Sequence, residues 1–129
     1  MTVALHHVQV SCPAGGEADV RRFYGELLGL TEVAKPAVLA ARGGAWFRGP
    51  GYELHVGVEE GFTPARKAHP AFVVSDADQV AGMLQAAGIE VGWDDDFPGY
   101  RRFHTADLHG NRVEILEALP PGAPQPEAE

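Results

Sequence analysis

The chain has 129 residues, 45% of them hydrophobic, which is enough for one ordinary domain with a real core. A formal net charge of −8, with only 10 Lys and Arg, argues against nucleic acid as a partner, because phosphate binding needs clustered cations. A single cysteine, Cys12, excludes an intrachain disulfide and fits a cytoplasmic location, and no apolar run approaches the ~18 residues of a membrane span.

The first ten residues, MTVALHHVQV, lack the pattern of a secretory leader. Val3–Val10 alternates and reads as a strand, with SCPAGG after it as a loop. Over 17–28, EADVRRFYGELL places Val20, Phe23, Tyr24, Leu27 and Leu28 at spacings of three and four. That predicts an amphipathic helix, ended by Gly29. Short strands are expected near 30–34, 37–41 and 44–48, then a GPG turn at 49–51 and a strand at Tyr52–Val58. Ala68–Val74 reads as a strand again. Ser75 or Asp76 caps a helix carrying Val80, Met83, Leu84 and Ala87, which Gly88 ends. Short strands follow at 89–93 and 100–106, HGN at 109–111 is a turn, and Arg112–Glu117 is the last strand. From Pro120 the sequence PPGAPQPEAE is Pro-rich and acidic without apolar periodicity, so 120–129 is expected to be a disordered tail.

The second half thus runs strand, helix, three strands, and the first half follows the same order with one further short strand. The fold class is α+β, one domain over 1–119 made of two βαβββ modules, 1–60 and 66–119. The copies register: FYGELLGLTEV lies over AGMLQAAGIEV, YELHVGV over VEILEAL with Glu53 matching Glu114, and His7 matches His69. Alternation puts His7, Gln9 and Ser11 on one face of the first strand, and His6 on the other, at the rim. It puts Glu53, His55 and Gly57 opposite Leu54 and Val56, and Glu114 opposite Val113 and Ile115. The apolar faces pack under the helices, leaving His7, Glu53, His55, His69 and Glu114 on the polar ones. A polar strand face is ordinarily a solvated one. Here a His–Glu pair recurs at nearly equal spacing in two copies, and if the polar faces converge, three or four N/O ligands suit Zn, Ni, Fe, Mn or Co.

These residues resemble the vicinal oxygen chelate superfamily, which includes glyoxalase I, bleomycin-resistance proteins and extradiol dioxygenases. The carriers are HHVQV with FYGELLGL, YELHV, AHPAFVVSDAD with LQAAGIEV, and DLHGNRVEILE, spanning Leu5 to Glu117. Leu108 and His109 depart from the superfamily's Asp-Pro-Asp-Gly ending. The resemblance implies a half-open barrel around a divalent metal. It implies His7, His69 and Glu114 as ligands, and Glu53 as the counterpart of a glutamate in the first module of glyoxalase I. His55, on Glu53's face, either competes with it or contacts substrate.

The implied function is a metal-dependent glyoxalase-type lyase or isomerase acting on a small molecule with adjacent oxygens, with Glu114 or Glu53 moving the proton. An iron-dependent dioxygenase using His7, His69 and Glu114 is an alternative, as is a non-catalytic, bleomycin-resistance-like binding protein. Arg66, Lys67, Tyr100, Arg101, Arg102 and His104 are candidates to steer an anionic substrate, against the ordinary reading as surface residues. Of Trp46 and Phe47, one faces the cavity and one the core. Asp94–Asp96 reads as a solvated loop and Cys12 as a bland thiol. The resemblance also implies a homodimer.

Overall fold

The structure, a computed structural model, describes residues 1–125. Its elements in chain order are β1 (His7–Cys12), α1 (Glu17–Val20) continuing as a π-helical segment (Arg21–Leu27), β2 (Thr31–Val33), α2 (Ala37–Ala40), β3 (Ala45–Gly49) and β4 (Tyr52–Val58). The second half gives β5 (Ala71–Val73), α3 (Ala77–Ala86), β6 (Gly92–Asp94), β7 (Tyr100–Ala106) and β8 (Arg112–Ala118). The chain divides into two units, Met1–Pro64 with Asp107–Asn111, and Ala65–Ala106 with the chain from Arg112 on.

Each unit holds a four-stranded mixed sheet, and the two share one topology. The orders are β1-β4-β3-β2 and β5-β8-β7-β6. In each, the first and last strands of the repeat pair in parallel and the remaining pairs are antiparallel. The fold is therefore α+β with two βαβββ modules, as the repeat predicts. The first unit's core gathers Val20, Phe23, Tyr24, Phe47, Leu54 and Val56; the second's gathers Ala77, Leu84, Phe103, Val113 and Ile115. No helix among the described residues is long and apolar enough to cross a membrane.

Several boundaries differ from the sequence expectation. The expected amphipathic α-helix over 17–28 widens after Val20, and Leu28 N–H reaches back five residues to the Phe23 carbonyl. A wider turn reduces the angle between successive side chains, and the neighbours Phe23 and Tyr24 both go fully into the core. Residues 37–40, expected as a strand, form a helical turn. Pro36 precedes it, accepts from Leu39 and Ala40, and has no N–H for a ladder, while alanine favours helix. Gly43 and Gly44, at φ +75° and +83°, then turn the chain into β3. A Cβ on Gly44 would lie 2.1 Å from the Val56 carbonyl oxygen.

The strand expected over 68–74 shortens to Ala71–Val73, because Pro70 cannot donate to the ladder and only accepts, from Glu114 N–H. β1 begins at His7 rather than Val3. Of the expected tail, Ala123 N–H bonds the Pro120 carbonyl, and the Gln125 side chain bonds Gly99 N–H and the Tyr100 carbonyl. Residues 126–129 of that tail lie outside the described residues.

Candidate metal centre

In the second unit Glu114 sits in the middle of the sheet, on β8. Parallel β5 places Ala71 beside it on one side, and antiparallel β7 places His104 beside it on the other. His69, two residues before Ala71, keeps the same parity and reaches the same carboxylate. Its Nε2 lies 2.8 Å from Glu114 Oε1 and the His104 Nε2 lies 3.3 Å from it. His69 Nδ1 lies 2.7 Å from the Lys67 carbonyl, which only accepts, so Nδ1 carries a proton and Nε2 is the nitrogen turned to Glu114. Arg102 Nη1 donates to Glu114 Oε2 at 3.1 Å, while Arg102 Nε and Nη2 hold Asp94 Oδ1.

Glu114 is 5% exposed. Burial pushes its pKa up, but the hydrogen bonds from His69 and Arg102 and the charge of Arg102 outweigh it, so the carboxyl lies below its usual range. Burial, with the charge of Arg112, lowers His104. One ligand atom from each of His69, His104 and Glu114 can be chosen so that all lie within 4.8 Å of one another. Two imidazole nitrogens and one carboxylate oxygen fit a divalent first-row transition metal.

The first unit builds a different cluster. His7 lies opposite Glu53 on β4, and His55 lies between Gln9 and Trp46. The rings of Trp46, His55 and His7 stack across β3, β4 and β1, with centroid separations of 3.8 and 4.0 Å. Glu53 Oε1 accepts from His55 Nε2 at 2.9 Å and Oε2 accepts from Arg48 at 3.3 Å, which hold Glu53 below its usual range. Desolvation in the stack, with the neighbouring His55 and His6, holds His7 below the usual histidine value. His6, expected at the rim, is exposed and touches His7 through their Nδ1 atoms at 2.9 Å.

The predicted ligand set is thus distributed two and two: His7 and Glu53 in the first unit, His69 and Glu114 in the second. The strand register also corrects the repeat alignment. Two residues after His7, Gln9 faces His55; two residues after His69, Ala71 faces Glu114. The counterpart of Glu114 is therefore His55, not Glu53. Sequence reading placed His104 among substrate-steering residues, yet it completes the trio on Glu114. Alternation along Tyr100–Ala106, set against β8 as an antiparallel neighbour, was the available signal.

Of the predicted steering residues, Arg66 and Lys67 are exposed. Tyr100 packs on Phe97, and Arg101 pairs with Asp78 and covers Trp93. Arg102 is bound to Glu114 and Asp94, so Asp94 is a strand residue with a partner rather than part of a solvated loop. Phe47 is the core residue of its pair and Trp46 the polar-face one. Cys12 is buried, and burial pushes its thiol up, which makes it a poor nucleophile.

No protein-family model and no curated protein matches the chain. Solved structures do. A Bacillus anthracis protein assigned to the glyoxalase family is 44% identical, with a TM-score of 0.87 over 92% of this chain and 98% of that one. The fosfomycin resistance protein FosX of Listeria monocytogenes is 15% identical, with a TM-score of 0.73 over 92% and 96%. Lactoylglutathione lyase of Agrobacterium tumefaciens is 20% identical, with a TM-score of 0.68 over 90% and 94%. The last two likenesses establish shared fold alone.

Proposed function

Because the chain belongs to the glyoxalase/bleomycin resistance/dioxygenase (vicinal oxygen chelate) superfamily, we propose that it is a metal-dependent enzyme of the glyoxalase type, a lyase or isomerase of a small molecule. The observation that carries this is the convergence of His69, His104 and Glu114 on one point of the second sheet. His69 and Glu114 are ligands the sequence predicts; His104 joins them.

A divalent cation held there supplies Lewis acidity toward a substrate with two adjacent oxygens. The protein's own residues prepare the rest. Arg102 fixes Glu114 Oε2, which leaves Oε1 facing the two histidines. The Lys67 carbonyl holds His69 Nδ1–H, so that Nε2 is the nitrogen that would face a cation beside Glu114. Glu114, and Glu53 in the first unit, are both held ionised near neutral pH, so either carboxylate can accept a proton. A homodimer in the cytoplasm belongs to the same reading.

Two histidines and one carboxylate are also the ligand set of iron-dependent oxygenation, which makes a dioxygenase the second reading. Elemental analysis of the purified chain is the test. We expect about one divalent ion per chain, bound at least about tenfold more weakly in His69→Ala and in His104→Ala. Unchanged metal content in both variants overturns the assignment. The same measurement on His7→Ala tests the predicted contribution of the first unit's histidine. Oxygen uptake by the iron-loaded protein selects the second reading over the first.

A further inference from the structure

Arg102 stands beside the candidate metal centre without being one of its three ligands. It lies on β7 two residues before His104 and so shares its face of the sheet. The register sets it between Asp94 on β6 and Leu116 on β8, one diagonal step from Glu114. Every nitrogen of its guanidinium is engaged. Nη1 donates to Glu114 Oε2 at 3.1 Å, and Nε and Nη2 donate to Asp94 Oδ1 at 3.2 and 3.1 Å. Asp94 Oδ1 also accepts from Asp96 N–H at 2.7 Å, so the backbone after β6 fixes the anchor. The guanidinium carbon lies over the Phe97 ring, 5.4 Å from its centroid.

The fold does not require an arginine at this position. Trp46 faces His55 as His104 faces Glu114, so Arg102 corresponds to Gly44 in the first unit, which has no side chain. Both units still form a sheet of the same order. What Arg102 adds is chemical. A carboxylate can bind a cation through one oxygen or through two. Arg102 occupies Oε2 of Glu114, and Oε1 is the oxygen that lies 2.8 Å from His69 Nε2 and 3.3 Å from His104 Nε2. Offering both oxygens to one cation would break the Arg102 bond at a buried carboxylate, where little water can replace it. The guanidinium cannot simply turn away, because its rigid fork is held on Asp94 by two further bonds.

We propose that Arg102, anchored by Asp94, is a positioning residue that confines Glu114 to a single donor oxygen. It thereby biases the centre toward Zn2+, which is satisfied by few N and O ligands, over Mn2+, which takes more oxygens. The proposal rests on the assignment of His69, His104 and Glu114 above and adds to it which cations the centre prefers.

The test measures Zn2+ and Mn2+ affinities by calorimetry on the full chain and on Arg102→Met, Arg102→Lys and Asp94→Asn. Removing a charge near the centre shifts the affinity for every divalent ion alike, so the ratio of the two affinities isolates the geometry of Glu114. We expect Arg102→Met to lower the Zn2+ to Mn2+ ratio about tenfold. Arg102→Lys should lower it by less, because one ammonium can hold Glu114 but not Asp94 as well. Asp94 lies on the edge strand β6, so Asp94→Asn weakens the anchor without emptying a buried position. It should shift the ratio in the same direction, and it decides the question if Arg102→Met does not fold. Loaded with Co2+, the folded Arg102 variants should show weaker visible absorption bands than the parent, because a second carboxylate oxygen raises the coordination number. A ratio unchanged in every folded variant, or Co2+ spectra identical to the parent's, overturns the proposal. Its failure is distinguishable from failure of the ligand assignment. Equal metal affinity in the parent and His69→Ala sinks the assignment and this proposal with it. A parent that loses metal on His69→Ala but keeps its ratio in the Arg102 and Asp94 variants sinks this proposal alone.

Discussion

Asp107 shows how much a single carboxylate organises. Its Oδ1 accepts from the backbone N–H groups of His109 and Asn111, and its Oδ2 from Tyr24 O–H at 2.7 Å and Asn111 Nδ2 at 2.9 Å. Burial and the facing carboxylate push the Tyr24 hydroxyl well above its ordinary value, so it stays a donor at any working pH. Tyr24→Phe removes one donor and leaves the others. The expected loss is about 1–2 kcal/mol in urea unfolding, and an unchanged midpoint would mean that the remaining donors satisfy Asp107 fully. The same scale explains what was readable of the site. His69 was legible because it recurs as His7 in the repeat, and Glu114 because alternation puts it on the polar face of its strand, although its register counterpart is His55 and not the Glu53 it was aligned with. His104 has no counterpart, since the equivalent position on β3 is Trp46, which faces His55 as His104 faces Glu114. A repeat argument finds only what is repeated.

At the scale of elements, α3 was the most legible because its signals are local. Asp76 caps it by accepting from Gln79 N–H at 3.0 Å, as expected. Its buried face, however, is Ala77, Ala81 and Leu84, and of the expected apolar set Met83 and Ala87 are exposed and Val80 is half-buried. Gly88, at φ +80°, closes it, with Gly88 N–H on the Gln85 carbonyl and Ile89 N–H on the Leu84 carbonyl. That closure keeps the chain on the helix end through Ile89, which is why β6 starts later than the expected residue 89. Asp76→Ala should cost about 1 kcal/mol of stability, read as a lower urea midpoint at constant slope. The π-helical segment and α2 were less legible. Both depend on what packs against them, not on spacing alone: Phe23 and Tyr24 share one core, and Pro36 sits where a ladder donor would be needed.

For the whole molecule, the repeat predicted two modules of one topology, and both sheets show the same strand order. Stability against pH is a property of the same scale. Glu17, Glu53, Asp78, Asp94 and Glu114 all have pKa values lowered by folding, and so do His7 and His104. A lowered value means the unfolded chain binds more protons, so stability rises with pH across the window between the two values. For these groups the contribution is complete above the unfolded value. It is lost as pH falls, from about 6.5 for the histidines and about 4.3 for the glutamates. Cys12, Tyr24 and Tyr52 are raised instead, so their contribution holds below their unfolded values and is lost in alkali. The metal-free protein is therefore expected to be most stable near neutrality. Glu17 offers a clean probe outside the candidate metal centre. Its Oε2 accepts from Gly44 N–H at 2.9 Å at the turn into β3, and that bond is the main cause of its lowered value. Glu17→Gln keeps an acceptor and removes the charge. It should cost about 1 kcal/mol at pH 7, and the gap to the parent protein should close as pH falls below about 4. Urea unfolding of both proteins between pH 3 and pH 8 checks this. A gap that stays constant with pH would show that the Glu17 carboxylate holds the turn by shape and not by charge.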